Sequence, residues 1–229
     1  MNTFVLSDIH GCNLTLQKAL QNIGLKEGDE LIFLGDYIDR GPDSKGVIDT
    51  ILHLKASGYQ VHCLKGNHEE MMLQAFYDTN VLKGWLRNGG DTTLDSFGIQ
   101  DLSDLDRQYI VFLMGLSVCY TKDNFLFVHA GLNFEVADPM SDLFSMLWIR
   151  NWYEDINYHW LEDRYIIHGH TPRPIDELKT MLDNLPQQRY LNLDSGCIYT
   201  ERPGHGHLSV LHLNSMQLHL EPCVEAFTQ

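Results

Sequence analysis

Short apolar runs alternate with polar loops along the chain. Five runs, at 3–6, 31–34, 61–64, 125–128 and 165–167, are rich in aliphatic and β-branched residues. Runs of this length, bounded by polar residues, predict β-strands. A polar segment follows each run directly. Each predicted strand therefore presents polar side chains at its carboxyl end.

The segments between the first three strands have helical periodicity. Asn13 is a candidate N-cap for a helix that Gly24 ends, and Ser44 is a candidate N-cap for a second helix that Gly58 ends. A strand at 60–65 follows the second helix. Strands joined by helices in this way predict right-handed crossover connections.

The second half of the chain has a different pattern. Residues 79–100 are rich in Gly, Asp and Asn, which predicts a surface loop or a small lid. A helix at about 102–114 leads into a hairpin between strands at 117–120 and 125–129. We predict an α/β (α+β) fold in which two mixed β-sheets pack as a sandwich flanked by α-helices, with residues 1–229 in a single domain. Four more strands suggest the second sheet: 164–168, 190–194, 208–213 and 217–220.

Five polar signatures follow the strands. Taken singly, each is compatible with ordinary turn chemistry. Polar groups at the carboxyl ends of strands in an open α/β sheet converge on one crevice. Together the signatures supply the carboxylate, imidazole, amide and guanidinium groups of a two-metal phosphoester site. They are Ser7-Asp8-Ile9-His10-Gly11, Gly35-Asp36-Tyr37-Ile38-Asp39-Arg40-Gly41, Gly66-Asn67-His68-Glu69, His129-Ala130-Gly131 and His168-Gly169-His170-Thr171.

This set of signatures resembles the calcineurin-like metallophosphoesterases, and within them the phosphoprotein phosphatase (PPP) family, especially its small bacterial and phage members. Arg40 and Glu69 are the specific parts of the resemblance, which extends from Asp8 to the segment Leu193-Asp194-Ser195-Gly196-Cys197. The resemblance implies a metallophosphoesterase-like fold and a metal-dependent hydrolase.

The resemblance also implies a ligand set for two metal ions. Asp8 and His10 are expected to bind the first ion together with Asp36, which is expected to bridge both ions. The second ion is expected to bind Asn67, His129 and His170. Carboxylate, imidazole and amide ligands suit Mn²⁺, Fe or Zn²⁺. We expect two Mn²⁺ ions, with an Fe/Zn pair as the alternative.

The remaining catalytic roles also come from the resemblance. A hydroxide that bridges the two ions is expected to attack phosphorus directly, without a phosphoenzyme. His68 is expected to be the general acid, with Asp39 fixing its tautomer. Arg40 is expected to bind the phosphoryl group, and Arg150, in a segment similar to one that carries a second phosphate-binding arginine, is nominated beside it. His168 is expected only to shape the turn before His170.

Other histidines and tryptophans are open to two interpretations. His205 and His207 could belong to a separate metal site, but their alternate spacing favours the solvated face of a strand. Three tryptophans could line a substrate groove, although core packing is the favoured interpretation. They are Trp148, Trp152 and Trp160.

Composition limits the partners and the compartment. The net charge of −15 argues against a nucleic-acid substrate, because polyanion binding depends on a basic surface. The five cysteines are scattered and contain no Cys-x-x-Cys pair, which indicates neither a disulfide framework nor a zinc ribbon. No apolar run approaches membrane-spanning length, and no signal peptide is evident. We expect a cytoplasmic protein with no membrane partner and leave its oligomeric state open.

Three functions remain after these observations. The favoured hypothesis is a phosphomonoesterase that acts on phosphoserine, phosphothreonine or phosphotyrosine in proteins, or on a small phosphoester. The enzymatic alternative is symmetrical diadenosine tetraphosphate hydrolysis, whose enzymes share the motifs and are usually somewhat longer. The alternative from another class is a non-catalytic interaction module on the same fold. Such a module would have lost ligands, whereas every expected ligand is present here.

Overall fold

The computed structural model describes residues 1–227, which contain nine strands in two sheets. The first sheet has the order β3-β2-β1-β8-β9 and the second has the order β4-β5-β6-β7. The strands are β1 (Thr3–Leu6), β2 (Glu30–Phe33), β3 (Gln60–Cys63), β4 (Cys119–Lys122), β5 (Phe125–Val128), β6 (Tyr165–His168), β7 (Tyr190–Asn192), β8 (His207–His212) and β9 (Gln217–Pro222).

Helices flank both sheets. They are α1 (Asn13–Asn22), α2 (Ser44–Ala56), α3 (Asn67–Ala75), α4 (Thr79–Trp85), α5 (Asp91–Phe97), α6 (Arg107–Met114), α7 (Leu143–Trp148), α8 (Tyr158–Leu161), α9 (Ile175–Asp183) and α10 (Leu185–Gln188). The prediction of two mixed sheets with flanking helices is confirmed.

The first sheet joins parallel and antiparallel pairs. β1 pairs in parallel with β2, and β2 with β3, across the predicted helical crossovers α1 and α2. β8 pairs antiparallel with β1, placing Leu211 opposite Val5, and β9 completes the sheet. Assigning β8 and β9 to the second sheet was therefore wrong. Their apolar pattern specifies strands but does not say which distant edge they join, and here that edge is β1.

The second sheet contains the predicted hairpin. β4 and β5 are antiparallel, joined by a turn in which Asp123 has a φ of +52°. β6 and β7 then continue the sheet in parallel with β5. The hairpin was predicted correctly, with strand bounds shifted by up to two residues.

The two sheets pack face to face through a buried apolar layer. Val5 and Ile32 come from the first sheet, and Phe127, Ile167 and Leu191 come from the second. Removal of these side chains from water is the main force that joins the sheets. Because the sheets are joined in this way, the loops at the carboxyl ends of β1, β2, β5 and β6 meet at one edge of the sandwich.

Two helix caps differ from the predictions. Asp43, rather than Ser44, caps α2, accepting from the backbone N–H of Gly46, while the Ser44 hydroxyl accepts from the backbone N–H of Asp39. Asn13 is the first residue of α1, and its side chain donates to Asp43 instead of capping the helix. The predicted helix at 102–114 begins with a single 3₁₀ turn, Leu102–Asp104, and continues as α6.

The prediction of a loop or lid at 79–100 was wrong, because this segment is α4, a π-helical turn (Leu86–Gly90) and α5. Gly89, with a φ of +101°, breaks the helix between them. Trp85 is fully buried, and Leu82 and Leu94 pack against the core. Because most of the segment is polar, its composition did not indicate that these apolar side chains are buried.

Among residues 1–227, no helix is long and apolar enough to cross a membrane. The cytoplasmic location and the single domain over 1–229 stay predictions.

Candidate metal centre

The strand ends place six predicted ligands at one edge of the sandwich. Four come from loops after β1, β2 and β3, and two come from loops after β5 and β6. All six are buried, with exposed fractions of 5% or less. We call them the metal cradle: Asp8, His10, Asp36, Asn67, His129 and His170.

The backbone of these loops is strained. Among the described residues, five of the ten non-glycine residues with positive φ were predicted as site residues. Such conformations cost free energy and persist where the surrounding structure holds them, often at functional sites. The five, with φ between +47° and +72°, are His10, Asp36, Asp39, Arg40 and His170.

Backbone carbonyls fix the tautomers of two cradle histidines. His10 Nδ1 lies 2.9 Å from the Ile38 carbonyl, and His129 Nδ1 lies 2.9 Å from the Leu34 carbonyl. A carbonyl only accepts, so each Nδ1 carries the proton and each Nε2 carries a lone pair. Hydrogen bonds of this kind orient metal-binding histidines.

Both lone pairs face the Asp36 carboxylate. His10 Nε2 lies 3.5 Å from Asp36 Oδ2, and His129 Nε2 lies 3.4 Å from Asp36 Oδ1. His129 Nε2 also lies 3.0 Å from Asn67 Oδ1. No proton lies between these ring nitrogens and the oxygens they face, so their electron pairs repel one another, and Arg40 Nη1 offsets part of this repulsion by donating to His10 Nε2 at 2.8 Å. A cation would remove the repulsion. The cradle therefore fits a metal on its donor geometry.

His170 adds an unpaired nitrogen to the cradle. Its Nδ1 lies 2.9 Å from Asn67 Oδ1, whereas its Nε2 is buried and has no hydrogen-bond partner among the described residues. Burial lowers the pKa of His170 far below its ordinary value and that of His129 to about 3. Both rings are therefore neutral, as metal ligation requires.

The cradle carboxylates are destabilised in their charged forms. Burial raises the pKa of Asp8, and the neighbouring Asp194 raises it further. Burial and then the proximity of Asp8 raise the pKa of Asp36. Asp8 accepts the backbone N–H of His170 at 3.0 Å, which links the loops of the two sheets. Bound cations would offset this concentration of negative charge.

His68 and Asp39 form the predicted pair beside the cradle. His68 Nδ1 lies 2.6 Å from Asp39 Oδ2, and both side chains are almost wholly buried. Burial outweighs the opposing hydrogen bonds from Thr93 and Trp85 and raises the pKa of Asp39 to about 8. These donors favour a carboxylate that accepts the proton of His68 Nδ1. The other nitrogen of His68 is then left free for a substrate.

Trp85 and Gly89 hold this pair from the segment that was predicted as a loop. Trp85 Nε1 donates to Asp39 at 3.0 Å and 2.8 Å, and Thr93 Oγ1 donates at 2.7 Å. The Gly89 carbonyl accepts the backbone N–H of Arg40 at 3.1 Å. A Cβ at Gly89 would lie 2.6 Å from that nitrogen, so glycine is required there. In the sequence, the tryptophan within this polar segment was the sign that the segment packs against the rest of the protein.

His68 also lies close to the metal ligands. One ligand atom from each of His10, Asp36 and His68 falls within 4.8 Å of the others, as do atoms from Asp36, His129 and His170. The geometry therefore brings His68 near the first predicted ion without distinguishing an acid from a ligand. The role of general acid stays a prediction.

Glu69 ties two loops of the cradle together. Its Oε2 accepts the backbone N–H groups of Asp36 at 3.0 Å and Gly66 at 2.8 Å, and its Oε1 accepts that of Tyr37 at 2.8 Å. Burial raises the pKa of Glu69 to about 7. In the sequence Glu69 was part of a family resemblance only, whereas in the structure it braces the loops that carry Asp36 and Asn67.

A cavity of about 230 Å³ opens over the cradle. Arg40 and the exposed Arg150 line it together. Arg202 and Tyr199 line it too, with the Arg202 guanidinium 3.8 Å from the Tyr199 ring centroid. We call Arg150, Tyr199 and Arg202 the arginine rim. Arg202 was not predicted from the sequence, because it lies outside the five polar signatures.

The remaining candidates lie outside the cavity lining. His168 Nε2 lies 3.0 Å from the Tyr153 hydroxyl, and its Nδ1 lies 3.0 Å from the Gly169 carbonyl, consistent with a role in shaping the turn. His205 and His207 are half-buried and belong to no metal-binding cluster among residues 1–227. Trp152 is buried in the core, the partly buried Trp160 packs against it, and Trp148 stacks on Phe144.

Relatives of this chain include symmetrical and asymmetrical bis(5'-nucleosyl)-tetraphosphatases and serine/threonine-protein phosphatases. A symmetrical bis(5'-nucleosyl)-tetraphosphatase from Janthinobacterium species (strain Marseille) is 29% identical over 133 residues, covering 58% of this chain and 44% of that protein. Serine/threonine-protein phosphatase 1 from Salmonella typhimurium is 37% identical over 91 residues, covering 39% of each chain. The chain thus spans less than half the length of these two relatives.

A protein serine/threonine phosphatase from Saccharomyces cerevisiae has the same fold, with a TM-score of 0.68 at 17% identity, over 99% of this chain and 81% of the other. The bacterial phosphatase match supports the predicted relationship to the PPP family. The calcineurin-like phosphoesterase pattern matches residues 1–202. With this match over most of its length, the chain belongs to the calcineurin-like phosphoesterases.

Proposed function

We propose that the protein is a dinuclear metal-dependent phosphomonoesterase that hydrolyses phosphoserine and phosphothreonine, or phosphotyrosine, in proteins. Metallophosphoesterases of this family use a dinuclear metal site, and the His and Asp groups of this chain fit metal binding. The observation that carries the proposal is the convergence of the unprotonated His10 and His129 Nε2 atoms on the Asp36 carboxylate.

The cradle would hold both ions, which we propose to be Mn²⁺, with Fe and Zn²⁺ as the alternative pair. Asp8, His10 and Asp36 would hold the first ion, and Asp36, Asn67, His129 and His170 the second. When bound, such ions activate water and neutralise charge on the phosphoryl group. These ligands bring three neutral imidazoles, so the cradle does not have to lose protons from histidine before it binds a cation.

Arg40 would bind the phosphoryl oxygens. Its Nη1 donates to His10 Nε2 at 2.8 Å, so the guanidinium supplies positive charge to the cradle. A ring nitrogen that binds a cation no longer accepts from Arg40. The guanidinium would then turn its planar pair of donors to the substrate, a geometry that suits phosphate.

His68 would protonate the leaving oxygen. Its Nδ1 is held by Asp39, so Nε2 would carry the proton that an alkoxide needs as the P–O bond breaks. The Asp39 carboxylate would stabilise the imidazolium form of His68 before transfer. Alkoxides of serine and threonine are poor leaving groups, and an acid at this position matters most for them.

One observation favours the second candidate, symmetrical diadenosine tetraphosphate hydrolysis. Arg202 lines the cavity together with Arg40 and Arg150. Three arginines can bind more phosphates than one phosphoryl group provides. The phosphoprotein remains the first candidate, because it places one phosphoryl group at this cavity, whereas a dinucleotide also needs surfaces for two adenosines.

A direct comparison of substrates tests the choice. With Mn²⁺ supplied, we expect kcat/KM for a phosphoserine peptide to exceed that for diadenosine tetraphosphate, since this ratio measures differential binding of the transition state. A preference of about tenfold or more for the dinucleotide, equal to about 1.4 kcal/mol, would reverse the order of the two candidates. No turnover of either substrate, in protein that binds Mn²⁺, would instead favour a non-catalytic module.

A further inference from the structure

Three cysteines that are far apart in sequence meet beside the start of α1. Cys12 directly precedes α1, Cys197 lies in the loop between β7 and β8, and Cys223 directly follows β9. Their Sγ atoms all lie within 4.8 Å of one another. The scattered spacing gave no sign of a metal site, because strand pairing, not sequence proximity, brings these residues together.

The spacing of the sulfurs matches a metal site better than a disulfide. The Sγ atoms of Cys12 and Cys223 are 4.0 Å apart. Tetrahedral Zn²⁺ with Zn–S bonds of about 2.3 Å separates its sulfurs by about 3.8 Å. A disulfide requires about 2.05 Å, roughly half the observed separation. A cation can therefore bind between these thiols with little movement of the chain.

Glu225 is the neighbouring residue that can supply a fourth ligand, although its carboxylate lies outside the group of three Sγ atoms and has to move toward Cys12 and Cys197 to complete the site. Its Oε2 lies 3.4 Å from Cys223 Sγ. One sulfur and one oxygen bound to tetrahedral Zn²⁺ lie about 3.6 Å apart. The Thr15 backbone N–H donates to Oε1 at 3.0 Å, and the Thr15 hydroxyl donates to Oε2. These bonds from α1 hold the carboxylate beside Cys223, as the hydrogen-bonded neighbours of metal ligands do.

We propose that Cys12, Cys197, Cys223 and Glu225 form a third cation site, separate from the metal cradle, that binds Zn²⁺. Thiolate ligands favour Zn²⁺ over Mn²⁺, whereas the cradle contains no sulfur. Binding releases the three thiol protons to solvent and forms three Zn–S bonds and one Zn–O bond. Cys223 and Glu225 are half-buried, so the cation can enter from their side.

The position of this site assigns it a structural role. It joins the segment after β9 to Cys12, two residues after the cradle ligand His10. With four protein ligands the site is closed, and closed sites contribute to folding rather than to catalysis. Zn²⁺ should therefore raise the thermal midpoint of the chain, because it binds the native state and not the unfolded one.

Cobalt spectroscopy tests the proposal in the full-length reduced protein. Co²⁺ bound to thiolates gives a near-ultraviolet charge-transfer band that ligands of the cradle type do not give. We expect this band in the unmodified protein and in Cys119→Ser, a matched control outside the cluster. Cys223→Ser and Cys197→Ser should lose this band. Each variant should also lose about one equivalent of tightly bound Zn²⁺.

Aryl phosphatase activity separates this proposal from the proposed function. Cys223 is half-buried, and Cys223→Ser should retain turnover with Mn²⁺, which also reports that the variant folds. An unchanged charge-transfer band in both cluster variants would overturn the proposal. A second result would also overturn the proposal. If freshly reduced protein mixed with Zn²⁺ still forms a Cys12–Cys223 disulfide, mass spectrometry will show the loss of two hydrogens.

Discussion

The buried metal cradle and the exposed arginine rim differ in how firmly the fold holds them. His10 and His129 are each fixed by a backbone carbonyl, and Asp36 is braced through Glu69. On the rim, Arg150 is exposed and donates to the Thr171 hydroxyl at 3.0 Å, and the exposed Arg202 stacks on Tyr199. The fold thus determines the chemistry closely and leaves the choice of substrate to side chains that can change with little cost in stability.

Removing the predicted acid should give the largest effect among three changes that test this comparison. His68→Asn should lower kcat by about 10²–10⁴, the usual loss for a general acid, while both metals stay bound. The loss should shrink for substrates with acidic leaving groups, which need little protonation. His219→Asn, a change on β9 outside the cavity lining, is the control.

Metal analysis distinguishes the two roles that the geometry of His68 allows. If His68→Asn loses one equivalent of bound metal, His68 is a ligand and its assignment as the acid is wrong.

Trp85→Phe should have an intermediate effect. It keeps an aromatic ring in the core and removes the N–H that donates to both oxygens of Asp39. A hydrogen bond to a charged group contributes about 1.5 kcal/mol or more, so we expect kcat to fall about tenfold. KM should change little, because Trp85 positions Asp39 and does not contact substrate.

The leaving-group dependence identifies the cause of that loss. Suppose that Trp85→Phe lowers kcat equally for substrates with acidic and with basic leaving groups, as a general loss of folding would. That result would rule out action of Trp85 through the Asp39–His68 pair. Trp160→Phe provides the matched control in a part of the core away from the site.

Arg202→Ala should have the smallest effect on a simple aryl phosphate, less than about threefold in kcat/KM, because an exposed charge contributes little. The same change should lower kcat/KM for diadenosine tetraphosphate by about tenfold, since additional phosphates reach the rim. Arg107→Ala, on the exposed start of α6, is the control. Equal losses on both substrates would place Arg202 with Arg40 at the reacting phosphoryl group.

The same comparison explains what the sequence could predict. Each cradle ligand lies within a few residues of the end of a strand or at the start of a helix, so a local pattern located it. Trp85 reaches Asp39 across 46 positions, and Arg202 reaches the cavity from a segment beyond β7. Contacts of this kind depend on how distant elements pack. The pairing of β8 with β1 was missed for the same reason.

The central claim is that two metals in the cradle carry out phosphoester hydrolysis. The most direct measurement follows turnover of an aryl phosphate by metal-depleted protein as Mn²⁺ is added, with Asp36→Asn measured in parallel. We predict negligible turnover without metal, restoration by Mn²⁺, renewed loss with chelator, and almost no turnover by Asp36→Asn at any Mn²⁺ concentration. Turnover that persists in metal-depleted protein and resists chelator would contradict the account.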